Sequence, residues 1–566
     1  MKNRIKDFIG TLPYSAELFW AVRGSRRPWS AHYRLGGIKD VLTQSVHEVQ
    51  HYAKQSAHPK KVFIFASLHY WIEQAGLIAL ALAGQGHKVQ LSYLPFAEWD
   101  KDINRFDVRR QDLYTQDLFK PLRNVIGVIP LLPDLLRYYR RDVSEYPADL
   151  VRIAKNVSRY DAMYTKQIEE IGEDDELYIF RLRRNLPTAL ALQRVFEREK
   201  PDVVIVPNGT ILEMGVAYQV ASAMGIETVT FEFADQRERI WIAQNDEIMS
   251  HDTTALWQGL GGQDLPEKAR QAMVELFSAR KGARLWGGFA RQWQQNPSQG
   301  ASAVKEALGL DERPIALLPT NVLGDSLTLG RERITPTMAD MIVGTIKHFI
   351  DHPEAQLVVR VHPGELKVHG TSMIDVIREN FKTLPENIHI VKPGDKTNTY
   401  DLVEIADLGI VFTTTVGMEM AMAGIPVIVT GKTHYANKGF THESADWQAY
   451  TDLLKKIVAK PAAYRLTEKQ VEQVWLYAYL FFFEYSLPFP WHLLWLAEDF
   501  RERPLSYVLS ETGQKRYGQT FGYLVGEPLD WQARGLARLN ELTTNKTELE
   551  SDHDERKKAG SWRILQ

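Results

Sequence analysis

The sequence predicts an α/β protein built from two doubly wound, Rossmann-like halves, and three observations carry that prediction. At 566 residues the chain is too long for one ordinary core and long enough for two domains. From Arg313 onward, short β-branched runs alternate with amphipathic segments, the pattern of a parallel sheet covered by helices on both faces. The same alternation recurs, more loosely, in the first half of the chain.

In that first half, strands are predicted at 61–66 (KVFIFA), 88–93 (KVQLSY), 203–206 and 228–231, with a helix over 71–83 joining the first two. Residues 112–200 read as a helical insertion rich in Leu, Tyr and Arg, suited to shaping an acceptor site. In the second half, strands fall at 315–318, 357–361, 388–391, 408–412 and 427–430, separated by helices such as 338–350 and 416–423. A Gly-, Gln- and Ser-containing stretch over 282–303 separates the two patterns, which sets a first domain at 1–290 and a second at 291–465. Residues 466–542 read as a helical, aromatic segment packing on the lobes, and 543–566 as a charged, disordered tail. Two such domains facing a central cleft would bind ligands at the carboxyl ends of their strands.

A formal net charge of -3 with 44% hydrophobic residues describes a soluble globular chain and gives no general grip on nucleic acid. The absence of cysteine removes disulfides, thiolate catalysis and cysteine-ligated zinc, and fits a reducing compartment. The start, MKNRIKDFIGTLPYSAELFW, carries charges through its first apolar stretch and no small-residue cleavage site. It does not read as a secretory signal, so a cytoplasmic location is expected. The most apolar run, 474–483, is followed by Glu484, Pro488 and Pro490 and is far shorter than the roughly 20 residues a spanning helix needs. A buried helix is its plain reading. Its aromatic content leaves a peripheral contact with lipid headgroups, at the inner face of the membrane, as the second.

Polar residues gather at three successive strand ends of the second half. Arg360-Val361-His362-Pro363-Gly364-Glu365 begins inside a strand and passes its carboxyl edge. Pro363 fixes the loop's direction, His362 can donate to a phosphate oxygen, and Arg360 or Lys367 adds charge. A plain strand-to-loop turn with a solvated histidine is the competing reading. Phe412-Thr413-Thr414-Thr415-Val416-Gly417-Met418-Glu419 runs from a strand straight into a helix. The free N–H groups and hydroxyls there form an anion site, unless one threonine merely caps the helix. Glu419, one turn in, can reach a ribose or sugar hydroxyl. The loop 431–441 (GKTHYANKGFT) follows the next strand and adds Lys432 and Tyr435.

In the first half, Glu213 follows the strand 203–206, while Glu232 and Asp235 follow the strand 228–231. Each is a candidate to deprotonate an acceptor hydroxyl or to steady an oxocarbenium-like transition state. Helix caps or surface charges are the alternatives for all three. His69, just past the first strand, is assigned no role.

The HPGE element, the TTTVGMEMAMAGIPVIV segment and the GKTHYANKGFT loop, in that order and spacing over 315–441, resemble the bacterial capsule polysaccharide biosynthesis family. That family includes Kdo transferases of capsule assembly and is related in layout to sialyl- and polysialyltransferases. The resemblance implies a GT-B fold and a metal-independent glycosyltransferase with no cofactor beyond its nucleotide-sugar co-substrate. It implies donor-site roles for His362, Pro363, Thr413, Thr414, Thr415 and Glu419, and a polysaccharide or glycolipid acceptor. Among donors it favours CMP-linked acidic sugars, with UDP- and GDP-sugars open. This chain has threonines where the family often has serines, and the family's acidic first-lobe motif is not evident.

Nucleotide-sugar 2-epimerases and wall-polymer glycerophosphotransferases also combine two such lobes with strand-end anion sites, and a non-catalytic assembly component would keep the fold without turnover. An epimerase needs no acceptor, whereas the helical insertion and the aromatic C-terminal segment suggest a second, larger substrate. His47-Glu48-Val49-Gln50-His51 matches the H-E-x-x-H pattern of zinc proteases, with Glu73 downstream as a third ligand. The intervening strand at 61–66 argues against it, and no metal site is expected. Neither G-x-x-x-x-G-K-[ST] nor G-x-G-x-x-G stands at a strand end, so P-loop hydrolysis and ordinary NAD chemistry are not expected.

Overall fold

The computed structural model describes residues 2–23, 35–36, 41–52, 56, 58–95, 104–139, 141–289, 296–367 and 370–544. The chain divides into two compact units, the first from 1–165, 170–251 and 486–529, the second from 166–169, 252–485 and 530–566. In chain order the strands are β1 (Lys61–Ser67), β2 (Lys88–Leu94), β3 (Gly127–Pro130), β4 (Val203–Pro207), β5 (Glu227–Phe233), β6 (Arg239–Gln244), β7 (Ile315–Pro319), β8 (Gln356–Arg360), β9 (Ile388–Val391), β10 (Leu408–Val411), β11 (Val427–Val429), β12 (His442–Glu443) and β13 (Leu487–Pro488). All nine strands predicted from the sequence are present, with ends shifted by at most two residues.

Unit 1 holds a sheet of order β13-β6-β5-β4-β1-β2-β3, parallel except where β6 pairs antiparallel with β5 and with β13. Unit 2 holds an all-parallel sheet of order β12-β11-β10-β7-β8-β9. Each sheet starts in its middle, lays strands to one side, then returns to the other, which is the doubly wound order. Strands β4, β7 and β8 are buried along their whole length, as runs covered on both faces must be. The helix Met338–Asp351 shows how the covering is done. The Thr337 side chain caps it by accepting from the Asp340 N–H, and Met338, Met341, Ile342, Ile346 and Phe349 then face the sheet at helical spacing. Each such side chain, fully buried, contributes about 1.5–3 kcal/mol.

Several expectations are corrected. Apart from 166–169, the chain first leaves unit 1 at His251, not near 290, because helices Thr254–Leu260 and Glu267–Lys281 belong to unit 2, and it returns to unit 1 over 486–529. Arg280, for example, pairs there with Glu419. The segment 466–542 is not one appendage. Residues 486–529 belong to unit 1, where β13 extends the sheet, and residues on either side belong to unit 2, where Arg534 pairs with buried Glu484. The insertion over 112–200 is partly sheet. The short edge strand β3 pairs only with β2, and Pro130 ends it, so its signal was too brief to read. The helix Trp531–Thr544 runs into the expected tail, whose remainder, 545–566, lies outside the described residues, as does part of the 282–303 stretch.

The run 474–483 is buried almost throughout, from Val474 to Phe482, which removes it as a lipid-facing surface. No described helix is long and apolar enough to cross a membrane. In the helix Leu42–Tyr52 the buried face is Leu42, Ser45, Val46 and Val49. Glu48 accepts from Gln44 (2.8 Å) and from the Ser506 N–H (3.0 Å), so it anchors a neighbouring helix. Glu73 is buried on the helix His69–Gly84, and among the described residues no three His, Cys, Asp or Glu side chains are grouped to hold a metal ion.

Candidate functional site

A doubly wound sheet opens a crevice at the carboxyl ends of the two strands where its order reverses. In unit 2 these are β7 and β10. Past β7 comes Thr320-Asn321, past β8 His362-Pro363-Gly364, past β10 Thr413-Thr414-Thr415, and past β11 Lys432-Thr433. Hydrogen bonds stitch these ends together. Thr320 Oγ1 accepts from the His362 N–H (3.1 Å) and Asn321 Oδ1 from the Thr413 N–H (3.4 Å). Thr413 Oγ1 donates to the Leu327 carbonyl (2.7 Å), Thr433 Oγ1 to the Thr413 carbonyl (3.3 Å), and the Tyr435 hydroxyl to the Thr414 carbonyl (2.6 Å). A Cβ on Gly417 would lie 2.4 Å from that hydroxyl, so only glycine lets Tyr435 seat there.

His362 is exposed, and its Nδ1 accepts from the Gly364 N–H at 3.0 Å. In the neutral ring this puts the proton on Nε2, making that atom a donor. Gly364 is what allows the fold-back, since a Cβ there would stand 2.7 Å from Nδ1. Glu365 secures the far side of the loop by accepting from the Ser372 hydroxyl and the Met373 N–H. Lys432 is exposed beside the same strand ends, its N–H bonded to the Arg331 carbonyl.

Two predicted donor residues lie elsewhere. Arg360 is buried, donates to the Lys392 carbonyl at 2.6 Å, and burial pulls its pKa down to about 10, so it braces β8 against the end of β9. Glu419 is buried, pairs with Arg280 at 2.8 Å, and has its pKa raised by that burial against the pull of Arg280 and Tyr400. It holds helix Glu267–Lys281 and is not presented to a ribose. Thr415 is half-buried and makes no side-chain cap to the short helix Val416–Met422. The helix start after β7 is already occupied, because Glu169 accepts from the Met338 and Ala339 N–H groups at 3.0 Å each. An anion in this unit is therefore better served at the β8 and β10 ends.

In unit 1 the order reverses between β1 and β4. Here the backbone itself is bent. Leu68 (φ 67°) follows β1, and Asn208 (φ 58°) and Leu212 (φ 53°) follow β4, all left-handed without being glycine. Such conformations cost of order 1–3 kcal/mol each and persist where surroundings force them, frequently at functional sites. Asn208 Oδ1 accepts from the Thr210 N–H at 3.1 Å, and its amide donates to Glu232 Oε2 at 3.1 Å. Glu232, near the end of β5, is buried, and burial pushes its carboxyl up to about 7 against the opposing Asn208 bond. Tyr70, partly exposed past β1, is raised to about 12 by burial and by the charge of Glu232.

The three carboxylate candidates thus separate. Glu213 is locked against Arg184 at 2.5 Å beside a second buried pair, Arg181 with Asp161 at 2.6 Å, so no acceptor hydroxyl can reach it. Asp235 lies half-buried in the turn after β5, a turn held by His492 against the Ala234 carbonyl. Glu232 alone combines a strand-end position with a pKa near neutrality. Asn208 and Tyr70 join Glu232 here beyond the residues picked from the sequence, although Asn-Gly after a strand is a visible signal for a left-handed turn. On the helical part of unit 1, Tyr139, Arg141, Tyr146 and Arg183 line a cavity of about 240 Å³ with Leu186 and Pro187. Pro187, inside a helix, lacks the N–H that would bond the Arg183 carbonyl.

A search of curated proteins finds no match. Among solved structures, two of KpsC from Thermosulfurimonas dismutans align loosely. The β-Kdo 2,4 transferase aligns at 15% identity and TM-score 0.31 over 49% of this chain and 78% of that one, and the 2,7 transferase at 16% and 0.29 over 50% and 79%. A UDP-GlcNAc 2-epimerase from Neisseria meningitidis, bound to UDP-GlcNAc, aligns at 11% and 0.23 over 74% and 99%. The family model described as "Capsule polysaccharide biosynthesis protein" matches residues 280–476. That span contains every stitched strand end of unit 2, and it is the part of the chain that is similar to the capsule polysaccharide biosynthesis family.

Proposed function

We propose that the chain is a glycosyltransferase that takes a sugar from a nucleotide donor and adds it to a surface polysaccharide or lipid-linked acceptor. The observation that supports this best is the set of cross-bonded strand ends in unit 2, with the His362 Nε2 donor exposed among them, inside the family-matched span. Donor phosphate oxygens accept from His362 and from Thr414 and Thr415, in the turn that Thr413 holds through Asn321 and Leu327, while Lys432 supplies charge. Pro363 and Tyr435 keep the frame rigid. Glu232 takes the proton of the attacking acceptor hydroxyl, a task suited to a carboxyl titrating near 7. The two arginines and two tyrosines of the unit 1 cavity suit an acidic, ring-shaped acceptor unit. A CMP-linked acidic sugar is the favoured donor, by the resemblance of the motifs. The cytoplasmic face of the membrane is the favoured location.

The test is calorimetric titration of the purified chain with CMP, UDP, GDP and CDP, in the presence and absence of EDTA, repeated with His362→Ala. One nucleotide should bind, independently of EDTA, and the variant should weaken it by about 1.5–3 kcal/mol, the scale of a charge-assisted hydrogen bond. Binding of none would sink the reading. Sugar-nucleotide interconversion without any acceptor would replace it with 2-epimerisation, and transfer of glycerol phosphate with the wall-polymer chemistry.

A further inference from the structure

The first two helices of the chain carry an apolar face with nothing described upon it. Lys2–Thr11 and Ser15–Arg23 form a hairpin whose inner side is pinned to the helix Arg105–Leu118 of the same unit. Trp20 Nε1 donates to the Arg110 carbonyl at 3.1 Å, Arg105 pairs with Asp7 at 2.9 Å, and Arg109 with Glu17 at 3.1 Å. The outer side shows Ile5, Phe8, Leu12, Tyr14, Leu18 and Val22, each between 45% and 81% exposed. Positions 5 and 8, and then 18 and 22, have the i, i+3 and i, i+4 spacings of helical stripes, and Leu12 and Tyr14 lie in the turn between the two helices. Among the described residues these six make up nearly half of the exposed large hydrophobic side chains, so the patch is concentrated and not the ordinary scatter.

Charge says what covers it. Residues 2–23 hold four Lys and Arg against two Asp and Glu, in a chain whose net charge is -3. Both acids, Asp7 and Glu17, are neutralised by Arg105 and Arg109, and Lys6 pairs with Asp107 on the inner side, so the exposed Arg4 and Arg23 are the cations beside the apolar stripe. An apolar stripe rimmed by cations is the makeup of a helix that lies in the interface of an anionic membrane. We propose that this hairpin is the docking surface for an anionic lipid bilayer, with Phe8, Leu18 and Val22 entering the headgroup boundary and Arg4 and Arg23 meeting lipid phosphates. The surface is distinct from the buried aromatic run 474–483.

The test is co-sedimentation of the full chain with phosphatidylcholine vesicles, with and without one third phosphatidylglycerol, compared with the variant F8S/L18S/V22S. The wild type should bind the mixed vesicles about tenfold or more tightly than the neutral ones and release at high salt, and the variant should lose about tenfold with an unchanged melting temperature. A second variant, R4E/R23E, should abolish the preference for phosphatidylglycerol. No binding by the wild type at low salt, or equal binding by F8S/L18S/V22S, overturns the proposal. So does a wild type that sediments as a dimer and a triple variant that sediments as a monomer, since the face would then belong to a second copy. The assay uses neither donor nor acceptor, so its outcome is separate from that of the proposed transfer.

Discussion

The two sheets reverse their strand order at equivalent places, yet their strand ends are built from different materials. In unit 2 the ends are held by neutral hydroxyl, amide and carbonyl bonds among Thr320, Asn321, Thr413, Thr433 and Tyr435, and the histidine at the rim stays exposed. In unit 1 they are held by left-handed backbone at Leu68, Asn208 and Leu212, over a buried pair of ion pairs, with Glu232 withdrawn from water. A frame of neutral bonds fixes donors without presetting any charge, which suits an anionic ligand. A desolvated carboxyl has its proton affinity raised, which suits proton transfer. On the proposed function, the same topology serves binding in one unit and acid–base chemistry in the other.

Substitutions that separate binding from turnover would break or sharpen this contrast. Glu232→Gln should lower turnover by about 10²–10⁴-fold while leaving nucleotide affinity unchanged. An equal loss of affinity in calorimetry would show that the division of labour is wrong. His362→Ala should do the converse, weakening nucleotide binding by about 1.5–3 kcal/mol.

The pH dependence provides a finer probe. The Glu232 carboxyl is raised from 4.5 to about 7, so between those values the folded chain holds a proton that the unfolded chain has released. Stability attributable to this group is full below about pH 4.5 and is lost as pH rises through about 7. Melting curves across that window should show the wild type losing stability relative to Glu232→Gln, and parallel curves would refute the shift. Asn208→Ala removes the bond that opposes the rise, so the acid limb of the pH–rate profile should move to higher pH.

Smaller effects are expected from the frame. Gly364→Ala should displace the His362 ring and weaken nucleotide binding by about 1 kcal/mol or less, since an imidazole can swing away. Tyr435→Phe loses one buried hydrogen bond to Thr414 and should cost about 0.5–1.5 kcal/mol in denaturant unfolding, with little change in turnover.

Most of the sheet architecture was legible because each buried parallel strand is a short β-branched run, as in KVFIFA and IALLP, and each crossover helix carries a helical apolar period. The edge strands β3, β12 and β13 and the antiparallel β6 were not, since strands exposed on one face or at an edge need not form the continuous apolar run that marks β10 and β11. At the site, His362 and the Thr413–Thr415 turn could be picked out because they directly follow strands. Arg360, Glu419 and Glu213 misled because a charged residue beside a strand end reads the same whether it faces a ligand or is paired inside. Whether Arg280 or Arg184 lies opposite depends on helices more than a hundred and on others some thirty residues away.

By itself the sequence determined two α/β sheets, the polar strand ends of the second and their likeness to one family, because local propensity, apolar periodicity and strand-to-loop punctuation are properties of neighbouring residues. Only the tertiary structure decided which carboxylates are spent in ion pairs, which glycine admits the His362 ring, where the chain passes from unit 1 to unit 2, and which apolar residues stay uncovered. Burial and pairing are set by residues distant in sequence, and it is burial that fixes whether a charge serves the fold or the chemistry.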